Sequence, residues 1–382
     1  MTVLLERVDL DILLAALRRR GYTPIGPTVR DNAITCAEIV SADTLPAGWV
    51  DEQEAGRYRL RQSGDPVLFG HTVGPVAWKR FLFPPAVRLW QVESGGGGPR
   101  AAGTPNPSVI RPDGDLPPRY ALIGVRACDL AAIAIQDTVF LAQAHVDRAY
   151  ESRRRGAFIV AVHCTRPGAT CFCASTGTGP RAAAGFDLAL TEVCRDGRHY
   201  FLVESGSSRG EELLPDVPLR EATPDECELG EAAVAEAAER MGRSVDLAGL
   251  KDLLYRSYEH PRWDETAARC LACANCTMVC PTCFCTAAEE RTDLEGRAEH
   301  VRRWDSCFTG SFSYIHGGSI RSSVKSRYRQ WLVHKFAAWI DQFGTTGCVG
   351  CGRCITWCPA AIDITEEVRA IQLSEVAIHG DA

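Results

Sequence analysis

Two runs of cysteine carry the chemistry of this chain. The first is Cys270-x2-Cys273-x2-Cys276-x3-Cys280-Pro281 and the second is Cys348-x2-Cys351-x2-Cys354-x3-Cys358-Pro359. Each has the spacing with which thiolates hold a 4Fe-4S cubane. Three thiolates two residues apart wrap a short loop around three iron corners. The fourth ligand has to come from elsewhere, and in two-cluster ferredoxins the last cysteine of one run serves the other cluster. The expected ligand sets are therefore Cys270, Cys273, Cys276 and Cys358 for one cluster, and Cys348, Cys351, Cys354 and Cys280 for the other. Structural zinc prefers four ligands in two separated pairs, a poor match to two full runs that both end in Cys-Pro. Gly350 and Gly352 allow close backbone approach to the second cluster. The first run has Ala272, Ala274 and Asn275 at comparable places, so the two clusters are expected to differ in potential.

Seven further cysteines lie in or beside clusters. Cys128 follows one apolar strand-like run and Cys164 follows another, and two neighbouring strand ends would put both thiols on one edge of a sheet. Cys171-x-Cys173 could close over them, giving four thiolates for a third 4Fe-4S cluster; a zinc site and separate buried thiols are the alternatives. Cys283, Cys285 and Cys307 have no assigned role: they can replace a ligand, donate weak S–H bonds beside one, hold a cluster with an outside ligand, or simply pack near the cubanes. Cys36, Cys194 and Cys227 stand alone and are expected to be free buried thiols.

Cysteine is abundant, 18 in 382 residues. No secretory leader and no apolar stretch of membrane-spanning length is evident, so the chain reads as cytoplasmic. In that reducing setting clustered cysteines mean metal or redox chemistry rather than disulfides. Charged residues make up 24% and hydrophobic residues 46%, which excludes a mostly disordered chain. The net charge of −6 offers no general footprint for nucleic acid. No P-loop, HExxH or CxxCH motif occurs. Gly177-x-Gly179-x-x-Ala182 matches a relaxed dinucleotide fingerprint, but a cysteine loop separates it from the preceding strand. The Gly run 95–98 leads into no helix and is discounted as a phosphate cradle.

The elements that must position these residues read as α+β. Residues 1–228 are expected to form an α/β domain with the third cluster, and residues 229–382 a helical plus ferredoxin-like dicluster 4Fe-4S domain with a helical insertion. Residues 1–20 read as an amphipathic helix, Ala33–Val40, Val67–Thr72, Ala121–Val125 and Phe158–Val162 as strands, and Leu130–Leu141 as a helix capped by Asp129. Glu93–Arg119 reads as a long surface loop and Glu231–Glu259 as helical. The 67 residues between Cys280 and Cys348 contain the helix Arg327–Phe343. Its Trp331, Phe336 and Trp339 are expected to pack, and His334 and Lys335 to be surface residues, or else to bring positive charge near an anionic cluster.

With CxxCxxCxxxCPTCFC (Cys270–Cys285), WDSCF (Trp304–Phe308), RYRQWLVHKF (Arg327–Phe336), GCVGCGRCITWCP (Gly347–Pro359), WKRFLFPP (Trp78–Pro85), GVRACDLAAI (Gly124–Ile133) and CFCASTGTGP (Cys171–Pro180), the chain resembles the iron–sulfur beta subunits of cytoplasmic sulfhydrogenases, the soluble nickel–iron hydrogenases. It is similar to the electron-transfer subunit of anaerobic sulfite reductase as well. The likeness extends over nearly the whole chain, and its family-specific part is CPTCFC and the upstream CFC. It implies an electron-transfer subunit whose partners are the hydrogenase large and small subunits and a flavin subunit binding NAD(P)H, with polysulfide or ferredoxin as an external acceptor. It also supports a cluster at Cys128, Cys164, Cys171 and Cys173. Three readings stand: a non-catalytic relay in a hydrogenase, the same relay in a sulfite reductase, and a cluster-based reductase of sulfur compounds with the CFC cysteines at its substrate.

Overall fold

The computed structural model describes residues 2–72, 74–76, 78–94, 108–112, 117–294 and 297–380. Its larger sheet has eight strands, in the order Arg220–Glu221, Val3–Glu6, Arg198–Ser205, Leu188–Arg195, Phe158–Val162, Tyr120–Val125, Thr23–Arg30 and Ala33–Glu38. The four strands from Leu188–Arg195 to Thr23–Arg30 run parallel, and antiparallel strands flank them on both sides. Every residue of Phe158–Val162 is buried, as is all of Tyr120–Val125 except Tyr120. Continuous apolar runs of this kind belong to parallel strands covered on both faces.

The opening segment is not one helix. Val3–Glu6 pairs with Tyr200–Val203, and the helix begins at Leu10. Val67–Thr72 forms no strand, because its backbone donors go to side chains: Leu68 and Phe69 N–H reach the Glu192 carboxylate at 2.6 and 2.8 Å, and Thr72 N–H reaches Asp51 at 2.6 Å. Within Glu93–Arg119, Ser108–Pro112 pairs with Trp90–Ser94; residues 95–107 and 113–116 of the expected loop, the glycine run among them, lie outside the described residues. The helical stretch after residue 230 is two helices, Pro224–Glu239 and Leu250–Arg256. The first opens with a capping box between Thr223 and Glu226. The break falls at Gly242, where a Cβ would meet the Ala169 backbone at 2.0 Å.

A smaller sheet joins the front and back of the chain, in the order Thr286–Thr292, Ala298–Trp304, Ala86–Ser94, Ser108–Pro112. Two of its strands lie on each side of residue 228, and Ala298–Trp304 pairs with Ala86–Val92. The cysteine runs sit against a second core containing Trp263, Phe308, Tyr328, Trp331 and Phe336. Trp331, Phe336 and Trp339 are buried, as the aromatic spacing implied.

Asp129 does not cap its helix. The helix runs Ala127–Phe140 with Arg126 at the cap position and no side-chain capping bond. Asp129 instead pairs with Arg353, 224 residues away, through two bonds of 2.9 and 3.0 Å. Both side chains are 2% exposed, and the Arg353 Nε donates to Gly74 O at 3.0 Å. This fork ties the large sheet to the second cysteine run. Removing one member of a buried pair strands the other charge, so Asp129→Ala should cost about 3–5 kcal/mol in anaerobic chemical unfolding, and adding Arg353→Met should recover most of it. Additive losses in the double variant would show that the pair is not the interaction that matters there.

Candidate iron–sulfur site

The two ferredoxin-type runs adopt matching backbones. Ala272 and Ala274 have φ of +49° and +67°, and their counterparts Gly350 and Gly352 have +61° and +72°. These left-handed residues turn the loop on both sides of its middle cysteine. Each turn opens a one-turn helix, Asn275–Met278 or Arg353–Thr356, that carries the third cysteine of its run. Backbone amides point at the sulfurs: Ala272 N–H donates to Cys270 Sγ at 3.4 Å, and Gly350 N–H to Cys348 Sγ.

Cys358 crosses over. It lines one apolar cavity with Cys270, Cys273 and Cys276, walled by Phe308, Tyr328, Trp331 and Ile362, and Cys354 reaches the same cavity. Ile362 N–H donates to Cys358 Sγ at 3.3 Å. Cys280 falls on the other side. The Cys354 thiol is pushed up by burial and then by Cys348, Cys351 and Cys280 together. Cys358 is thus placed with the first three cysteines of the other run, and Cys280 with Cys348, Cys351 and Cys354. Among the described residues no three such side chains close to the spacing that grips a single ion; a cubane, with a thiolate at each of four corners, holds its ligands further apart. All-thiolate donors in an apolar wall fit soft iron–sulfur chemistry.

Cys128, Cys164, Cys171 and Cys173 are also brought together, beside the second run. Burial pushes the Cys171 thiol up to about 12, with Cys164 and Cys351 adding to it. Cys173 is raised by burial and then by Cys164, Cys171 and Cys351. Cys128 is raised by burial, Asp129, Cys351 and Cys173. Cys128 lies in the first turn of its helix, and Cys164 just beyond its strand, where Arg126 Nη1 approaches its sulfur at 3.8 Å.

The glycines of the second run are required by this neighbour. A Cβ on Gly350 would stand 2.6 Å from Cys173 Cα and N, and one on Gly352 would stand 2.4 Å from Thr170 O. Phe172 N–H donates to Gly350 O at 2.8 Å, and Thr178 Oγ1 to Val349 O at 2.8 Å. The Thr170 and Thr356 hydroxyls meet at 2.8 Å, and both bond Gln53. Close approach at these glycines was expected; the group that approaches is the chain segment 170–173.

Two buried lysines lie at the site; Lys79 was not anticipated there, and for Lys335 the structure takes the second of the two expectations, positive charge beside the cysteines. Lys335 is 4% exposed, and its Nζ donates to Cys280 Sγ at 3.2 Å. Burial opposes its charge, but Cys280, Cys283, Cys348 and Cys354 more than offset that and hold the amine protonated. It stands four residues from both Trp331 and Trp339, on the buried face of its helix, which is the signal that could have found it. Lys79 Nζ donates to the carbonyls of Cys280 and Cys283, each at 3.0 Å, and lies 4.0 Å from the centre of the Trp304 ring. The remaining cysteines pair beside the runs. A bond from Cys283 holds Cys280 well below its usual value, and one from Cys307 brings Cys285 down to about 7. Cys194 is exposed rather than buried, on the hydrogen-bonded end of Leu188–Arg195, and Cys36 and Cys227 are half-buried; desolvation and then Asp129 push the Cys36 thiol up to about 12.

The paired loops define a protein of the iron–sulfur dicluster class, and residues 269–362 match the model of the 4Fe-4S dicluster domain. Over 329 residues the chain is 35% identical to sulfhydrogenase 2 subunit beta of Pyrococcus furiosus, covering 84% of this chain and 91% of that protein. The chain belongs to the sulfhydrogenase beta-subunit family. No solved structure matches it. Among the described residues no helix is long and apolar enough to cross a membrane.

The packing at Gly350 gives a paired test. Gly350→Ala should displace segment 170–173 and lower the unfolding temperature of the anaerobic protein, while Ala272→Gly at the matching turn should shift stability by no more than about 1 kcal/mol. Equal effects would mean that the close approach does not govern the second loop.

Proposed function

We propose that this chain is the electron-transfer subunit of a cytoplasmic nickel–iron hydrogenase complex. In this reading it relays electrons between the hydrogenase large and small subunits and a flavin subunit that handles NAD(P)H, and passes some to an external acceptor such as polysulfide or ferredoxin. The observation that carries it is Cys358 lining the cavity of Cys270, Cys273 and Cys276. That crossing favours two clusters held in one unit, one by those four thiolates and one by Cys280, Cys348, Cys351 and Cys354. A third cluster at Cys128, Cys164, Cys171 and Cys173 is supported by their convergence against Cys351. The name of the relative, a sulfhydrogenase subunit, supports the assembly.

When bound, 4Fe-4S clusters supply one-electron storage and release. The chain's contribution is position and environment. Residues 270–276 and 348–354 fix the thiolates, the aromatic wall excludes water, and amide N–H groups and Lys335 set the charge felt by the sulfurs.

Iron and sulfide determination on anaerobically purified protein should give about twelve irons per chain; about eight would remove the third cluster and leave the pair. Cys273→Ala and Cys358→Ala should each remove the same cluster's signal in electron paramagnetic resonance, the double variant should lose no more than either alone, and Cys36→Ala should keep full iron. Loss of different signals would refute the crossing. Turnover of a sulfur substrate by the isolated chain, abolished by Cys285→Ser with iron intact, would overturn the relay.

A further inference from the structure

The two crossing cysteines have unequal surroundings. Cys280-Pro281-Thr282 and Cys358-Pro359-Ala360 occupy equivalent places at the ends of the two runs. Cys358 Sγ receives one backbone N–H, from Ile362 at 3.3 Å. Cys280 Sγ lies 3.2 Å from the Lys335 Nζ and 3.1 Å from Thr282 Oγ1.

Hydrogen-bond counting fixes the charge of Lys335. Its Nζ has three partners: Cys280 Sγ, Thr282 Oγ1 at 3.3 Å and Gly347 O at 3.3 Å. Thr282 has one hydroxyl proton, shared between Gly347 O at 2.8 Å and Cys280 Sγ at 3.1 Å, so its oxygen is an acceptor toward the lysine. A carbonyl only accepts, and a ligating thiolate carries no proton. Three acceptors require the three N–H bonds of an ammonium. Among the described residues neither Lys335 nor Lys79 is paired with a carboxylate, although both are buried. An uncompensated buried cation is costly unless an anion faces it.

The helix is built to hold this ammonium in place. Val324–Phe343 changes from α to a π turn at His334–Ala338, a feature that often marks functional positions. The Lys335 carbonyl accepts from Gly347 N–H at 2.7 Å, immediately before Cys348. Gly347 is needed there, because a Cβ would fall 2.6 Å from the Trp339 ring. The same residue thus anchors its backbone to the head of the second run and its side chain to the cysteine that completes the second group.

Resting on the two-cluster reading above, we propose that Lys335 sets the reduction potential of the cluster at Cys280, Cys348, Cys351 and Cys354, making it the higher-potential member of the pair and the place where the first electron settles. Reduction adds one negative charge, and a fixed cation bonded to a ligand sulfur stabilises the reduced form more than the oxidised one.

The test is a redox titration of the full anaerobic chain followed by electron paramagnetic resonance. Lys335→Gln keeps N–H donors without the charge, Lys335→Met removes both, and Lys335→Arg keeps the charge. In the Gln and Met variants one couple should fall by at least a tenfold change in its reduced-to-oxidised ratio, which is 59 mV for one electron. The other couple should move less, and the Arg variant should stay nearer the native value. An unmoved Gln variant, equal shifts in Gln and Arg, or equal shifts of both couples would overturn the proposal. Iron is counted on the same samples: fewer than about eight irons in the unaltered chain would remove the two-cluster reading itself, whereas full iron with unmoved potentials removes only the role of Lys335. Should the variants shed iron, the unaltered chain decides. With 15N-lysine and one electron added per chain, pulsed resonance should detect a lysine nitrogen coupled to the first-reduced cluster, and its absence would overturn the proposal.

Discussion

The structure depends on one electrostatic constraint. A large set of thiols and the buried Lys335 share an interior lined by Phe308, Tyr328, Trp331 and Phe336. Thiolates beside thiolates raise one another, and burial raises them further, as at Cys354 and Cys276. Lysines without carboxylates are equally unfavourable in such surroundings. Iron–sulfur clusters relieve both problems, because the metal draws off thiolate charge while the cluster remains anionic toward Lys335. Folding of this half of the chain and loading of its clusters are thereby coupled.

The second constraint is proximity. Segment 170–173 lies against the second run so closely that only glycine fits at 350 and 352. The matching turns of the first run carry Ala272 and Ala274 in the same left-handed conformation, where no comparable approach forbids a side chain. The difference between Gly and Ala at equivalent places therefore records which loop is covered by the N-terminal part. It also places Cys128, Cys171 and Cys173 next to Cys351. Thr170, Thr356 and Gln53 close this seam with a hydroxyl–amide network, and the Asp129–Arg353 fork locks it. A relay needs fixed separations between its centres, and a seam of this kind supplies them.

What the sequence disclosed and what it hid follow from the range of the interactions. The cysteine runs were legible because ligand spacing is local covalent geometry, and the same rule led us to expect Cys358 beside Cys270, Cys273 and Cys276, whose cavity it lines. Phe158–Val162 was legible because continuous burial imposes a continuous apolar run. Asp129 was misread as a cap, since nothing nearby announces a partner 224 residues distant. The strand Ser108–Pro112 was hidden in a Gly- and Pro-rich stretch without alternation. Lys335 was left between the surface and a place near a cluster because a lone lysine on a helix is usually solvated, although its spacing from Trp331 and Trp339 placed it on the inward face. Cys283, Cys285 and Cys307 were read as lying beside the cubanes with their roles left open, and the fold sets Cys283 against Cys280 and Cys307 against Cys285.

The central claim is that two cubanes are gripped by ligands interleaved from both runs. Anomalous diffraction at the iron edge from crystals grown without air tests it most directly. The account predicts one four-iron peak touching Cys270, Cys273, Cys276 and Cys358, and another touching Cys280, Cys348, Cys351 and Cys354. Cys280 bound with Cys270, Cys273 and Cys276, or single-ion peaks at either place, would contradict it.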